Sequence, residues 1–174
     1  VMIEVYLARH GQTEENISRI FQGHLPGRLT EEGKRQAVEL GEKLKDIELD
    51  AIVSSDLQRV ADTVRLAMAG RPLPWKQTAL LREIDWGSWT GLPIQSVDLE
   101  KQPEDVETRE MLYERAGRCR DYLMENYQGM RVLVVAHGLI NRSLQAQIQG
   151  IPITELTSIP HMQNAEVRRL IIPD

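Results

Sequence analysis

Two patterns of hydrophobic and polar positions alternate along the chain. Short, nearly continuous apolar runs occur at residues 3–8, 51–53 and 132–136, and such runs are typical of strands buried inside a sheet. Elsewhere, apolar residues recur three and four positions apart, which is the spacing of an amphipathic helix. Residues 165–172 alternate and contain β-branched residues, so they predict a strand at the edge of the sheet.

Four helices are predicted from the three-and-four spacing. Thr30 is a typical N-cap residue, and Glu31 and Glu32 after it suit the positive end of a helix dipole. Ser55 and Gln58 have the S-x-x-Q spacing of a capping box and predict the start of the next helix. The apolar faces of the four helices are Ala37, Leu40, Gly41 and Leu44; Leu57, Val60, Ala61, Val64 and Met68; Leu112, Ala116, Cys119 and Leu123; and Ile140, Leu144 and Ile148.

The order of these elements predicts an α/β fold with a mostly parallel sheet. A length of 174 residues suits one domain with a full core and is short for two, so residues 1–174 are expected to form a single domain. Residues 11–28 and 92–107 are polar and interrupted by glycine or proline, and they predict irregular loops. Residues 80–91 mix carboxylates, tryptophans and glycines, and their apolar positions fit neither the period of a helix nor that of a strand.

The composition narrows the class of protein. No stretch approaches the roughly 20 apolar residues of a membrane span, and the net charge of -5 disfavours a nucleic-acid partner. The single cysteine, Cys119, cannot form an internal disulfide and belongs to no C-x-x-C metal pair. The given sequence does not start with a basic segment followed by an apolar one, so a cytoplasmic location is expected.

Two of the predicted strands end in a histidine followed by a glycine, at His10 and His137. Because ligands of open α/β sheets bind beyond the carboxyl ends of the strands, both imidazoles are expected in one crevice. Arg9 precedes the first histidine, and Arg59 lies near a predicted helix start, where free backbone N–H groups also favour anions. Each residue alone would more often be structural or solvent-facing, but together they predict a phosphate site.

Other phosphate-processing chemistries lack their essential residues. The chain contains neither the G-x-x-x-x-G-K-[ST] loop of nucleotide-binding enzymes nor the D-x-D pair of aspartyl-phosphate enzymes. A cysteine phosphatase would need an arginine six positions after Cys119, where this chain has Glu125. The four histidines form no H-x-H or H-E-x-x-H group, so no metal site is expected. His24 and His161 follow no predicted strand, and both are expected to be structural or solvent-facing.

Five ordered blocks of sequence carry a family resemblance. They are LARHGQT (7–13) with Asn16 and Gln22-Gly23, LTEEGKRQA (29–37), SSDLQR (54–59), LREIDWG (81–87) and VVAHG (134–138). In this order, and over nearly the whole chain, the blocks resemble the histidine phosphatase superfamily in its phosphoglycerate mutase-like branch. The resemblance implies a three-layer α/β/α sandwich around the mostly parallel sheet.

The resemblance also implies roles for the site residues. His10 would attack phosphorus and become transiently phosphorylated, and Glu83 would protonate the departing alkoxide. The residues implied to hold the phosphoryl group and complete the pocket are Arg9, Arg59, His137, Asn16, Gln22 and Gly23. No metal ion or cofactor is required by this scheme.

General chemistry agrees with these roles. Phosphoryl transfer depends mainly on positioning and on positive charge at the equatorial oxygens. A neutral imidazole at His10 can act as a nucleophile if its other nitrogen is hydrogen-bonded, most simply to a backbone carbonyl such as that of the Gly11 loop. A phosphate dianion close to Glu83, beside the apolar Trp86, would favour the protonated acid.

The substrate stays open at this level. The chain lacks the long insertions of cofactor-dependent phosphoglycerate mutases, which favours a phosphatase; a mutase and a non-catalytic phosphate-binding regulatory module are the alternatives. Residues 92–107 are expected to form a lid or specificity loop, and they carry no basic cluster. A small metabolite with one phosphomonoester and a modest polar body fits best, such as α-ribazole 5'-phosphate or a sugar phosphate.

Pro26 and Arg28 depart from the family pattern, and Arg28 is expected to be solvated. A homodimer through an edge strand is compatible with the sequence.

Overall fold

Five strands form one sheet in the computed structural model, which describes residues 2–174. The strands are β1 (Ile3–Arg9), β2 (Ala51–Ser55), β3 (Trp75–Thr78), β4 (Arg131–Ala136) and β5 (Val167–Ile172). Their order is β3-β2-β4-β1-β5, and all neighbours are parallel except β5, which runs antiparallel to β1. The mostly parallel sheet and the final edge strand are therefore confirmed.

Helices cover both faces of the sheet. They are α1 (Glu14–Ser18), α2 (Glu31–Leu44), α3 (Gln58–Ala67), α4 (Arg109–Asn126) and α5 (Gly138–Gln149). Alternate residues of β1 face opposite layers: Val5 and Leu7 pack in the core with α4 and α5, whereas Tyr6 and Ala8 pack in the core with α2 and α3. The predicted three-layer sandwich is therefore confirmed.

The register of β1 and β4 brings the two predicted histidines together. Arg9 pairs with Ala136, so the next residue of each chain segment, His10 and His137, leaves the sheet at the same edge. Their ring centroids lie 5.3 Å apart. The expectation of one crevice for both imidazoles follows from this parallel pairing.

Residues 11–28 are more ordered than predicted, because they contain the short helix α1. Thr13 caps this helix through a capping box: its side chain accepts from the backbone N–H of Asn16, and the Asn16 side chain accepts from the backbone N–H of Thr13. Thr30 caps α2 as predicted, with its hydroxyl 2.9 Å from the backbone nitrogen of Gly33.

The predicted capping box at Ser55 and Gln58 is wrong. Ser55 is the last residue of β2, and the N-cap of α3 is Leu57, whose side chain makes no capping hydrogen bond. The Ser55 hydroxyl instead lies 2.8 Å from Nε2 of His137, and the Gln58 amide bonds to Asp62 one turn further on. A tertiary hydrogen bond of Ser55 and a hydrogen bond of Gln58 within α3 therefore take the place of the predicted capping box.

Residues 79–107 contain short turns instead of a regular element, as their mixed pattern predicts. Single 3₁₀ turns occur at Ala79–Leu81, Gly87–Trp89 and Ile94–Ser96. An isolated bridge between Ile20 and Pro93 ties this segment to the chain just after α1. Within residues 2–174, none of the helices is both long and apolar enough to cross a bilayer.

Candidate active site

A cavity of about 520 Å³ opens at the carboxyl edge of β1, where the predicted residues meet. Seven of the eight predicted site residues line it: Arg9, His10, Asn16, Gln22, Gly23, Arg59 and Glu83. The eighth, His137, is fully buried behind the wall, against the ring of His10. We call this cavity the catalytic cleft.

His10 is held with one nitrogen bonded and the other free of the backbone. It is only 2% exposed, and its Nδ1 lies 2.7 Å from the carbonyl oxygen of Gly11. Because a carbonyl only accepts, Nδ1 carries the proton and Nε2 keeps its lone pair. Burial, followed by the charges of Arg59 and Arg9, holds the pKa of His10 well below its ordinary value. His10 is therefore a neutral imidazole at neutral pH, with the lone pair of Nε2 unprotonated; its role as a nucleophile stays a prediction at this point.

Glycine at two positions lets the loop after β1 press against the layer of α2 and α3. A Cβ atom at Gly11 would lie 2.4 Å from the backbone oxygen of Gly33, and one at Gly33 would lie 2.0 Å from the backbone oxygen of Gln12. The backbone N–H of Gly11 also donates to Thr63 Oγ1 at 3.1 Å. These contacts fix the carbonyl that orients His10.

His137 has the reverse hydrogen-bond arrangement. Its Nε2 lies 2.8 Å from the Ser55 hydroxyl, and its buried Nδ1 has no hydrogen-bond partner in the described part of the chain. Burial comes first, followed by the positive charge of Arg59, and both lower the pKa of His137 well below its ordinary value. The second imidazole is therefore also neutral.

Arg59 is buried at the start of α3, as expected, with 1% of its surface exposed. Its guanidinium donates to the carbonyl oxygens of Gly23, at 2.9 Å, and Leu25. Gly27 has a φ of +74°, and a Cβ atom there would lie 2.8 Å from the Arg59 Cδ. Residues 23–27 thus wrap the guanidinium. Burial lowers the pKa of Arg59 to about 10, so it stays charged at neutral pH.

Arg9 supplies a second positive charge to the cleft. One of its terminal nitrogens donates to the Met162 carbonyl at 2.8 Å, and its buried Nε has no partner within residues 2–174. Burial lowers the pKa of Arg9, against the opposing charges of Glu83 and Glu166. Neither Arg9 nor Arg59 forms an ion pair with a carboxylate in the described residues. The cleft therefore has cationic charge available for an anion.

Glu83 reaches the cleft from the segment after β3 and is anchored at the start of α5. Its carboxylate accepts hydrogen bonds from the backbone N–H groups of Leu139 (3.1 Å), Ile140 (3.0 Å) and Ile84 (3.1 Å). His24 donates through Nε2 to the backbone carbonyl of Glu83 at 2.9 Å. His24 is thus a structural support, as predicted.

Asn16 and Gln22 are positioned through their amide oxygens. Asn16 Oδ1 accepts from the backbone N–H of Thr13 (3.0 Å) and from the Asn164 amide (3.3 Å). Gln22 Oε1 accepts from the Thr13 hydroxyl at 3.0 Å. An anion in the cleft would therefore meet their NH₂ groups, which are donors.

The structure also adds residues that sequence reasoning missed. His161 lines the cleft, and its Nε2 contacts the Arg142 guanidinium at 3.2 Å, although no local pattern marked this histidine. An apolar wall completes the cleft, formed by Ile20, Phe21, Trp86, Ile94, Leu99 and Leu139. Two of these, Ile94 and Leu99, come from the predicted lid at residues 92–107.

Arg28 and metal ligands are not part of this cleft. Arg28 is exposed, as expected, and lines a separate surface groove with Glu14 and Lys34. In the described residues, no group of three or more histidine, cysteine, aspartate or glutamate side chains could hold a metal ion.

Comparison with known proteins finds that this chain is similar to phosphate-processing enzymes. The model of the histidine phosphatase superfamily (branch 1) matches residues 5–174. The probable phosphoglycerate mutase GpmB of Salmonella arizonae is 31% identical over 165 residues, covering 87% of this chain and 77% of that protein. The α-ribazole phosphatase of Shigella flexneri superposes with a TM-score of 0.85 at 26% identity, covering 92% of this chain and 86% of that one. A mycobacterial glucosyl-3-phosphoglycerate phosphatase superposes with a TM-score of 0.86 at 27% identity, covering 98% and 91%.

Proposed function

This chain belongs to the histidine phosphatase superfamily (branch 1) and is a phosphatase, and from that premise we propose how it works. It hydrolyses the phosphomonoester of a small metabolite without a metal ion, through a phosphohistidine at His10. The observation that carries this proposal is the neutral His10 imidazole, with Nδ1 bonded to the Gly11 carbonyl and Nε2 left as the nucleophile.

The first step transfers the phosphoryl group to His10. The Nε2 lone pair forms a bond to phosphorus while the bond from phosphorus to the ester oxygen breaks. Glu83 gives its proton to that oxygen, which leaves as an alcohol. In the second step, water attacks the phosphorus of the phosphohistidine and gives a proton to Glu83. The bond from phosphorus to Nε2 breaks, so inorganic phosphate is released and the Nε2 lone pair is restored.

Positive charge around the cleft stabilises the transferring group. Arg59 is buried and Arg9 is half-buried, and neither guanidinium has a carboxylate partner in the described residues, so their charge is available to the equatorial oxygens. Within residues 2–174, five buried side-chain polar atoms have no hydrogen-bond partner, and three of them belong to Arg9, Arg59 and His137. Such atoms are costly unless a ligand satisfies them, which supports an anion at this place.

The wall of the cleft supports a substrate whose alcohol has an apolar or flat face. The rings of Phe21 and Trp86 pack at a tilt, with their centroids 4.5 Å apart, and Ile94 and Leu99 are 39% and 56% exposed. This wall is more apolar than the polar residues of the predicted lid suggested. The neighbours named α-ribazole phosphatase and glucosyl-3-phosphoglycerate phosphatase make α-ribazole 5'-phosphate and sugar phosphates the first compounds to test.

Turnover of an aryl phosphate in the presence of a chelator tests the proposal. We expect hydrolysis to persist in excess EDTA. With a substrate labelled at phosphorus, rapid quenching without acid should trap a phosphoenzyme, and peptide sequencing should place the label on His10. Loss of turnover with the chelator, or a label on another residue, would contradict the metal-free phosphohistidine route. Complete absence of turnover would favour a non-catalytic phosphate-binding module.

A mutase is the second candidate, because one relative is named a probable phosphoglycerate mutase. Incubation with 3-phosphoglycerate separates the two activities. We expect inorganic phosphate and glycerate as products, and appearance of 2-phosphoglycerate would favour the mutase.

A further inference from the structure

Ser55, the last residue of β2, is the hydrogen-bond partner of His137. Its hydroxyl oxygen lies 2.8 Å from His137 Nε2 and 3.2 Å from the backbone nitrogen of Leu57. Both Ser55 and His137 are 0% exposed. These two contacts are the only hydrogen bonds of the Ser55 hydroxyl within residues 2–174. The proton of the Ser55 hydroxyl therefore has few possible acceptors.

Two arrangements of protons are compatible with these distances. In the first, the Leu57 N–H donates to the Ser55 oxygen, and the Ser55 hydroxyl donates to Nε2 of His137, so the imidazole proton sits on Nδ1. In the second, Nε2–H donates to Ser55, and the hydroxyl proton is then buried without an acceptor in the described residues. In the described residues, each arrangement leaves one buried donor without an acceptor: the Nδ1–H of His137 in the first and the Ser55 hydroxyl in the second. An anion that meets Nδ1 can accept from it only in the first arrangement, so the first arrangement is favoured when phosphate is bound.

The first arrangement also gives the buried Nδ1 a function. This atom has no partner in residues 2–174, and the other ring nitrogen is already bonded to Ser55. We propose, on the basis of the phosphatase function above, that Ser55 is a positioning residue that keeps the His137 proton on Nδ1. The neutral imidazole then donates from Nδ1 to a phosphoryl oxygen. In the other tautomer, Nδ1 would present a lone pair to an anion and repel it.

The surroundings of His137 make the tautomer matter, because they keep the ring neutral. Burial comes first among the causes that lower its pKa, followed by the guanidinium of Arg59 at the start of α3, the imidazole of His10, the guanidinium of Arg9 at the end of β1 and the imidazole of His24, each of which opposes a second proton on the ring. The nearby Glu83 carboxylate is bound to the first N–H groups of α5. A doubly protonated His137 ring would donate from Nδ1 with or without a hydrogen bond from Ser55. A neutral ring donates from Nδ1 only if its single proton is on that nitrogen.

Nuclear magnetic resonance of the unmodified protein tests the proton position directly. With uniform ¹⁵N labelling, long-range correlations of the four imidazole rings report which nitrogen of each carries the proton. With inorganic phosphate bound, we expect the ring assigned to His137 by its absence in His137→Gln to be protonated at Nδ1. Protonation at Nε2 would overturn the proposal without any need for a Ser55 variant.

Kinetics of two adjacent serine variants test the consequence. Ser55→Ala is expected to lower kcat/KM for p-nitrophenyl phosphate about tenfold at neutral pH, the size of one neutral hydrogen bond. Ser54→Ala is the matched control: Ser54 is equally buried, but its hydroxyl bonds to the Ser55 carbonyl and the Trp75 indole instead of a histidine. Equal effects of the two substitutions, with both proteins folded, would overturn the proposal.

The pH profile separates positioning from general packing. A protonated His137 donates through both nitrogens, so the deficit of Ser55→Ala relative to the unmodified enzyme should shrink as pH falls. Ser55→Thr, which keeps the hydroxyl, should recover activity. A deficit that is the same at every pH would indicate packing alone and refute the positioning role. Failure of the proposed function is distinguishable, since it would appear as the absence of phosphohistidine at His10 in the unmodified enzyme.

Discussion

His10 and His137 stand in the same local sequence, yet opposite ring nitrogens of the two histidines are hydrogen-bonded. Both end a parallel strand, both precede a glycine, and both are buried and neutral. His10 uses Nδ1 on a backbone carbonyl, which leaves a lone pair on Nε2. His137 uses Nε2 on a hydroxyl, which leaves Nδ1 without a partner in the described residues. In the mechanism we propose, the hydrogen-bond partner of each ring therefore decides whether the other ring nitrogen offers a lone pair, as in His10, or a proton, as in His137.

The strongest test of this difference is removal of each ring in turn. His10→Ala should abolish the phosphoenzyme and lower kcat by at least about 10⁴-fold, as loss of a nucleophile does in other enzymes. His137→Ala should lower kcat/KM by about 10² to 10³-fold, the size of one lost oxyanion donor, and should still form a phosphoenzyme. Steady-state kinetics and phosphoenzyme trapping check both. A phosphoenzyme that persists in His10→Ala, or disappears only in His137→Ala, would exchange the two roles.

The meeting of these histidines could be predicted because it depends on topology. Carboxyl ends of parallel strands converge at one edge, so strands that end at Arg9 and Ala136 place their next residues side by side. The same reasoning missed β3, because Trp75–Thr78 is a short edge strand with polar residues and no buried run. Local periodicity reports burial, and this strand has little of it.

The partners of each ring could be predicted only where they are local. The Gly11 carbonyl adjoins His10 in the chain, and it was expected. Ser55 is 82 residues from His137, and its sequence context favoured a helix cap, which the tertiary hydrogen bond replaced. The apolar wall of the cleft could not be predicted for a similar reason. Ile20 and Leu99 come from irregular segments, in which apolar residues follow neither the helical nor the strand period.

A second test asks whether Arg59 acts equally on both rings. After burial, its charge is the largest cause of the lowered pKa of His10 and of His137. Arg59→Gln should lower kcat/KM by about 10² to 10³-fold. Because removal of a positive charge raises the pKa of a nearby imidazole, the acid limb of the pH profile should also move to higher pH. Kinetics between pH 5 and pH 8 measure both effects.

Arg65→Gln is the matched control for Arg59→Gln, since it removes the same charge from the same helix. The Arg65 side chain is 56% exposed and pairs with Asp62 at the surface. Exposed ion pairs contribute little, so this variant should keep the rate, the pH profile and the free energy of unfolding within about 0.5 kcal/mol. An acid limb that moves equally in both variants would show that net charge, and not Arg59 in particular, sets the pKa of the two imidazoles.

The smallest expected effect is on stability, and it treats the two histidines alike. Both pKa values are lowered in the folded state, so near pH 6 the unfolded chain, with imidazole pKa values of about 6.5, binds more protons than the folded chain. The free energy of unfolding should therefore have its highest value above about pH 7.5 and decrease as the pH drops below about 6.5. Urea denaturation at a series of pH values checks this, and most carboxylates stay ionised over the same window. Since each buried ring contributes separately, His137→Ala should weaken the pH dependence and leave the part due to His10. An unchanged slope in that variant would mean that folding does not lower the pKa of His137, so that burial and the charge of Arg59 act on the His10 ring alone.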